Sequence, residues 1–451
     1  TIFYISEKNG NDENDGKSPE TAWKTISALS KIRLVKQGKL VVLFERGGIY
    51  RGSISAANSA IYGSYGEGSK PILMQSKKNY ADPSLWEETE WENVWKSTDM
   101  LKNVGVIGFD HDLFDYSDDS YHELYGNIMN KGNYGFKGPA DLKEDLQFYS
   151  ELQNNDVQSS GPVYLYCEGG NPGTRFKSIE MGERINIFSS AWEGTIFDNL
   201  SLKFTGAHGI GLGTIRNITV TNCVFSWLGG SVLKYNSDGD YAVNYGNAVE
   251  SYGGCNGYHV ENNWMYQIYD TAVTHQRSPS TGDCRQENIQ YIGNLMEYVH
   301  WGIEFYNAPP SKADLAGGKQ DTWTRYTKDV HHAYNVLRMG GYGWGSLTRF
   351  RTSAARLYCG STLSDNSDEL AEYNIYDRCG GYLLNLPANA NEVQDKNIYI
   401  QTLGCTLGAL RGTAYTCDYD AARLIRDVWG DKNAVMIVID PDREDPTQYR
   451  I

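Results

Sequence analysis

"GYHVENNWMYQIYDTAVTHQ", residues 257–276, holds a short alternating strand, an Asn at a turn, a second apolar stretch and a further strand. Four other segments can be laid on it: "NITVTNCVFSWLGGSVLKY" (217–235), "NIQYIGNLMEYVHWGIEFYN" (288–307), "DVHHAYNVLRMGGYGWGSLTRF" (329–350) and "ELAEYNIYDRCGGYLLNLP" (369–387). The matched Asn are Asn222, Asn263, Asn294, Asn335 and Asn374, with successive separations of 41, 31, 41 and 39 residues. Such spacing is too irregular for helical repeats of fixed length, yet the pattern inside each block survives, so the irregularity belongs to loops between strands. The extra residues are expected after one recurrent strand, at 236–246, 277–287, 308–328 and 351–368. Loops gathered at one point of each coil would wall a binding surface whose floor is that strand.

Composition agrees with many short strands. The 451 residues include 48 Gly and 33 Tyr but only 12 Pro, with the Gly dispersed as tight turns require. A formal charge of −15 repels a phosphate backbone and argues against nucleic acid as a partner. No apolar run is long enough to span a bilayer. The chain opens on Thr1 with no signal-like segment, which fits a mature exported protein or a trimmed chain equally; a secreted, periplasmic or cell-surface location is the expectation. The 8 Cys show neither a CxxC pair nor zinc spacing, leaving buried thiols or one or two disulfides as alternatives.

On these blocks and their Asn turns, the chain resembles the right-handed parallel β-helices of the pectate-lyase-like superfamily. The resemblance implies an all-β solenoid. "FYISEKNGNDENDGKSPETAWKTISAL" (3–29) is similar to the opening segment of exported β-helix carbohydrate enzymes, with a short amphipathic helix covering the open end. Four regions are expected: an N-terminal cap and first coils (1–80), an irregular aromatic-rich insert (81–195), the groove-bearing helix (196–410) and a C-terminal cap of helix and strand (411–451). "NGNDENDG" (9–16) reads as a turn, because aligning Gly16 with the Gly of an EF-hand loop puts Ala22 where a bidentate Glu is needed. No cofactor fingerprint is visible; a calcium ion held by loop oxygens would leave no clear mark.

The fold leaves the reaction open, since lyases, hydrolases, epimerases and esterases share it. "GAHGIGLG" (206–213) resembles the His-Gly-Ile motif of polygalacturonase-type hydrolases, but their other motifs are absent, and "RSPSTG" (277–282) lacks the second Arg of the pectate-lyase motif. Glycoside hydrolysis needs two carboxyl groups flanking the scissile bond, and Glu250, Asp270 and Glu304 are the candidates. Lys234, Asn247, His275, Gln276, Tyr306 and Arg349 are the candidate substrate-binding residues for a polysaccharide or oligosaccharide. The alternatives are β-elimination or epimerisation of a uronate, with Lys234, His275, Tyr306 or Arg349 as base or charge stabiliser, and a non-catalytic glycan-binding β-helix. Within "YDTAVTHQ" (269–276), Val273 is expected in the core, with His275 or Gln276 presented to the sugar and Asp270 at the turn before them.

Overall fold

The computed structural model describes all residues except 33–38, 112–135, 236–241, 278–281, 309–322, 349–353, 361–367, 387–391 and 443–451. The chain winds as a right-handed parallel β-helix of three long sheets, each of ten strands. Each regular coil supplies a strand to sheet 1, then sheet 2, then sheet 3, as in Cys255–Glu261, Trp264–Ile268 and Thr271–Arg277. The core runs along the axis and is filled from all three sheets, with Val260, Met265 and Val273 from this coil fully buried.

The turn from sheet 1 to sheet 2 has two residues in every regular coil. Its first residue lies in the left-handed region: Asn222, Asn262, Gly293, Tyr334, Tyr373 and Lys396 have φ of 53, 56, 69, 57, 55 and 55°. The second points inward and builds a ladder. Asn263 donates from both its backbone N–H and its Nδ2 to Asn294 Oδ1 at 3.0 Å, and Asn294 does the same to Asn335. The series continues through Asn374 to Asn397 and ends on the Asp431 carboxylate. Each Nδ2 also reaches a sheet 1 carbonyl, as Asn335 does to Tyr291 at 2.7 Å, so these buried amides are well partnered. Asn222 is not in the ladder: it occupies the left-handed position, and Cys223 takes the inward place and donates its N–H to Asn263 Oδ1. The matched Asn at 222 was therefore one residue out of register.

The N-terminal cap holds two 3₁₀ helices, Pro19–Thr21 and Ile26–Lys31, the latter burying Ile26 and Ala28 against the first coils. "NGNDENDG" holds this cap together, since Asp12 accepts from the backbone N–H groups of Lys24 and Thr25 and from the Thr25 hydroxyl. At the other end Ala421–Leu424 and a π turn, Ile425–Trp429, lead to Val435–Ile439, which adds to sheet 2.

Chain excursions occur at both ends of the sheet 3 strands, not at one. Residues 75 to 187 leave between a sheet 2 strand, Ile72–Met74, and a sheet 3 strand, Phe188–Ser189. They form a four-stranded antiparallel sheet, a separate strand pair and a core of their own. A bidentate pair, Arg51 to Glu180 at 2.6 and 2.7 Å, ties this insert to the solenoid. "SVLKY" and residues 345–348 of "GSLTRF" also lie in sheet 2 to sheet 3 connections, the first in a hairpin, Val232–Tyr235 with Ala242–Asn244, the second in a short helix, Trp344–Thr348. The connections after "TAVTHQ" and "GIEFYN", by contrast, follow sheet 3 strands. Of the four expected insertions, 236–246 thus precedes a sheet 3 strand instead of following one, and 351–368 contains one, Arg356–Gly360.

All eight cysteines are free thiols, seven of them buried. Among the described residues no helix is long and apolar enough to cross a membrane.

Candidate active site

The outer face of sheet 3 is set by a kink in its strands. Ala272 and Val273, consecutive in sequence, both enter the core, as do Leu357 with Tyr358 and Leu383 with Leu384. Gly302 takes the equivalent place beside Ile303, where a Cβ would stand 2.4 Å from the Leu357 carbonyl oxygen. Two inward residues in a row shift the alternation by one position, so Thr271, Thr274 and Gln276 face outward while Val273 and His275 face inward.

Parallel register then stacks Gly211, Glu250, Thr274, Glu304, Cys359 and Asn385 in one outward row. A neighbouring row holds Tyr252, Gln276 and Tyr306, and another Thr271, Trp301, Arg356 and Tyr382. Glu250 and Glu304 are two coils apart with Thr274 between them, a backbone separation of roughly 9.6 Å at the usual strand spacing.

Glu250 is held by nitrogen groups on both oxygens. Its Oε2 accepts from Asn247 Nδ2 at 2.7 Å, and its Oε1 lies 3.3 Å from His208 Nε2. The Asn247 backbone N–H donates to His208 Nδ1 at 3.0 Å, which assigns the proton of a neutral imidazole to Nε2, facing Glu250. Asn247 Oδ1 in turn accepts from the Thr271 backbone N–H at 3.0 Å. Behind His208 the Tyr245 ring packs edge-on at 5.0 Å, and the Arg184 guanidinium lies 5.1 Å over Tyr245, so the insert braces the site. Burial pushes the Tyr245 phenol up to about 12, keeping it neutral.

Glu304, 9% exposed, receives Thr271 Oγ1 at 3.2 Å and Gln276 Nε2, both on Oε2. The Tyr306 hydroxyl donates to Gln276 Oε1 at 3.1 Å. Further along, Arg356 lies 5.1 Å over the Trp301 ring and donates to Cys359 Sγ at 3.1 Å.

The structure thus brings Glu250, Asn247, Gln276, Glu304 and Tyr306 onto one face. Asp270 is half-buried in the turn leading into Thr271, its backbone carbonyl accepting from Trp301 N–H at 2.9 Å. His275 lies on the other side of the strand, toward the core: its Nδ1 is 2.8 Å from the Tyr291 hydroxyl and its ring is stacked on Phe305 at 5.7 Å. Burial lowers its pKa to about 3, which makes it a neutral core residue. Lys234 is exposed on the 232–244 hairpin and is not part of sheet 3. Arg349 lies outside the described residues. His208 and Thr271 were absent from the sequence-derived set, although "GAHGIGLG" held the signal for the first. Among the described residues no group of three or more His, Cys, Asp or Glu gathers as metal ligands.

No family model matches the chain, and no curated protein matches it in sequence. Among solved structures, the GH136 lacto-N-biosidase of Eubacterium ramulus is similar at 11% identity over 97% of this chain and 68% of that one, with a TM-score of 0.37. A structure described as a glycoside hydrolase gives 10% identity over 99% and 97%, with a TM-score of 0.40. The family 28 exopolygalacturonase of Yersinia enterocolitica gives 11% over 92% and 76%, with a TM-score of 0.31. Likeness this distant assigns no substrate, bond or catalytic residue; any reading of the chemistry rests on the groove.

Proposed function

We propose that the protein is a secreted glycoside hydrolase that cleaves a polysaccharide or oligosaccharide bound along sheet 3. The observation that carries this reading is the pair Glu250 and Glu304, outward in one row and two coils apart on a floor of amide, hydroxyl and aromatic groups. Glu250, with a nitrogen group at each oxygen, takes the role of base toward water. Glu304, the more buried carboxyl, takes the role of acid and protonates the leaving oxygen. A backbone separation of roughly 9.6 Å lets two glutamate side chains flank a scissile bond. Asp270, at the groove's turn, is the remaining carboxylate and is assigned to orienting the substrate. Gln276, Tyr306 and Asn247 present the mixed donors and acceptors that sugar hydroxyls require.

β-Elimination is the weaker alternative, because two of its candidate groups are poorly placed: His275 is sealed in the core and Lys234 stands on the hairpin. The test is incubation with neutral and uronate-containing polysaccharides while following reducing ends and the ultraviolet absorbance of unsaturated uronate. Reducing ends without absorbance are expected; both signals rising together would replace hydrolysis with elimination.

A further inference from the structure

Where the sheet 3 strands turn into sheet 1, four successive coils form an open trough of about 460 Å³ headed by Trp192. Trp192 is 50% exposed, the only tryptophan so open among the described residues. Its backbone is fixed on both sides: the N–H donates to Asn58 Oδ1 at 2.9 Å and the carbonyl accepts from Arg216 N–H at 2.7 Å. The indole makes no hydrogen bond within the described residues, so a held backbone projects a bare ring face over the trough.

The rest of the lining is polar and internally neutralised. Arg216 pairs with Glu193 at 2.5 Å and Arg285 with Asp283 at 3.5 Å, while Asn256 Nδ2 donates to Glu287 Oε1 at 2.6 Å. A site for a free anion would carry uncompensated cations, and a site for an apolar ligand would lack this polar rim. Paired donors and acceptors of both signs beside one aromatic face match a sugar ring, whose hydroxyls both give and accept while its C–H face stacks. The volume falls in the range of small-ligand clefts.

The trough also continues the groove. Tyr252 stands in the same outward row as Gln276 and Tyr306, is 39% exposed, and is followed by Gly253 and Gly254. A Cβ at either glycine would stand 2.6 Å from Thr214 Oγ1 or 2.9 Å from the Arg285 carbonyl, so the chain packs closely against both neighbouring coils there, and Gly254 itself lines the trough.

We infer that the Trp192 trough is a second glycan-binding site, which holds a length of polysaccharide that has passed over Tyr252 from the groove. The inference rests on the glycan reading of the groove, but it can fail separately. The full-length Glu250→Gln protein is run in native gels cast with polygalacturonate, xylan or mucin glycans, with and without Trp192→Ala, and retardation is converted to affinity. At least one glycan is expected to retard Glu250→Gln and to lose at least tenfold in affinity on Trp192→Ala, with Trp192→Tyr restoring most of it. The single variant Trp192→Ala should still turn over a short oligosaccharide at the wild-type rate, which also shows that it folds. Equal retardation with and without Trp192, or none in any gel, overturns the inference. Trp192-dependent retardation in a protein that cleaves nothing keeps it and overturns the hydrolase reading instead.

Discussion

The solenoid carries two pairs of glutamates that face opposite ways. Glu250 and Glu304 point out of sheet 3, two coils apart, and each meets donors: Asn247 and His208 for one, Thr271 and Gln276 for the other. Glu369 and Glu392 are direct partners on adjacent strands of sheet 1, in register with Val330 of the core. Glu369 is 4% exposed and, among the described residues, neither of its oxygens has a hydrogen-bond partner, while Gln394 contacts one oxygen of Glu392. Burial, and the charge of Glu392 beside it, hold Glu369 well above the usual carboxylate range. Burial also raises Glu392 to about 8. Identical side chains are thus given donors on the outer face of sheet 3 and, in the core of sheet 1, left short of them and driven toward the protonated form.

The largest effect should come from neutralising the outward pair. Glu250→Gln and Glu304→Gln are each expected to lower turnover by about 10²–10⁴-fold with little change in melting temperature, read from initial rates and thermal unfolding. Activity near wild type in either variant would remove that residue from the chemistry.

The inward pair should instead govern stability. Because the folded state holds protons that the unfolded chain releases above about 4.5, stability should be fully present below that pH. It should then fall, on the order of a few kcal/mol, as pH rises through about 8. Urea unfolding across this window should show the decline in the wild type and a shallower one in Glu392→Gln, with turnover of the variant unchanged at pH 6. Parallel slopes for the two proteins would mean that the pair does not carry the proton linkage.

The smallest effect separates the two faces of one strand. His275→Gln, inside, should change turnover less than about threefold while costing roughly 1 kcal/mol for the bond to Tyr291. Gln276→Ala, one residue on and facing Glu304, should lower turnover at least tenfold. Equal losses would place both residues at the chemistry and contradict the kink.

The solenoid was legible in the sequence because its turn imposes a requirement on residue type: Asn263, Asn294, Asn335 and Asn374 recur wherever an inward amide must bond its neighbours above and below. Position 222 misled because an Asn also suits the left-handed residue just before the ladder, and the ladder's own place there is a Cys. The outward row was only partly legible. Glu250, Glu304, Gln276 and Tyr306 could be picked out by type, but the double inward step at Ala272 and Val273 is invisible to simple alternation, so His275 was assigned to the wrong face. His208 was missed as a site residue because its contact with Glu250 spans two coils joined by the hairpin excursion. "SVLKY" and residues 345–348 of "GSLTRF" imitate strands of the repeat yet belong to connections, which is why Lys234 left the site.

The two-residue turn between sheets 1 and 2 behaves like the spine of a ring binder. Its length never varies in the regular coils, from Asn222–Cys223 to Lys396–Asn397, whereas the connections on either side of sheet 3 range from short turns to an insert of more than a hundred residues. Pitch is fixed at the spine, and pages can be exchanged at the open edge without disturbing it. A designer wishing to retarget the groove would therefore graft new segments at the hairpin after Leu228 or the connection after Asn307, leaving the amide ladder untouched as the registration device.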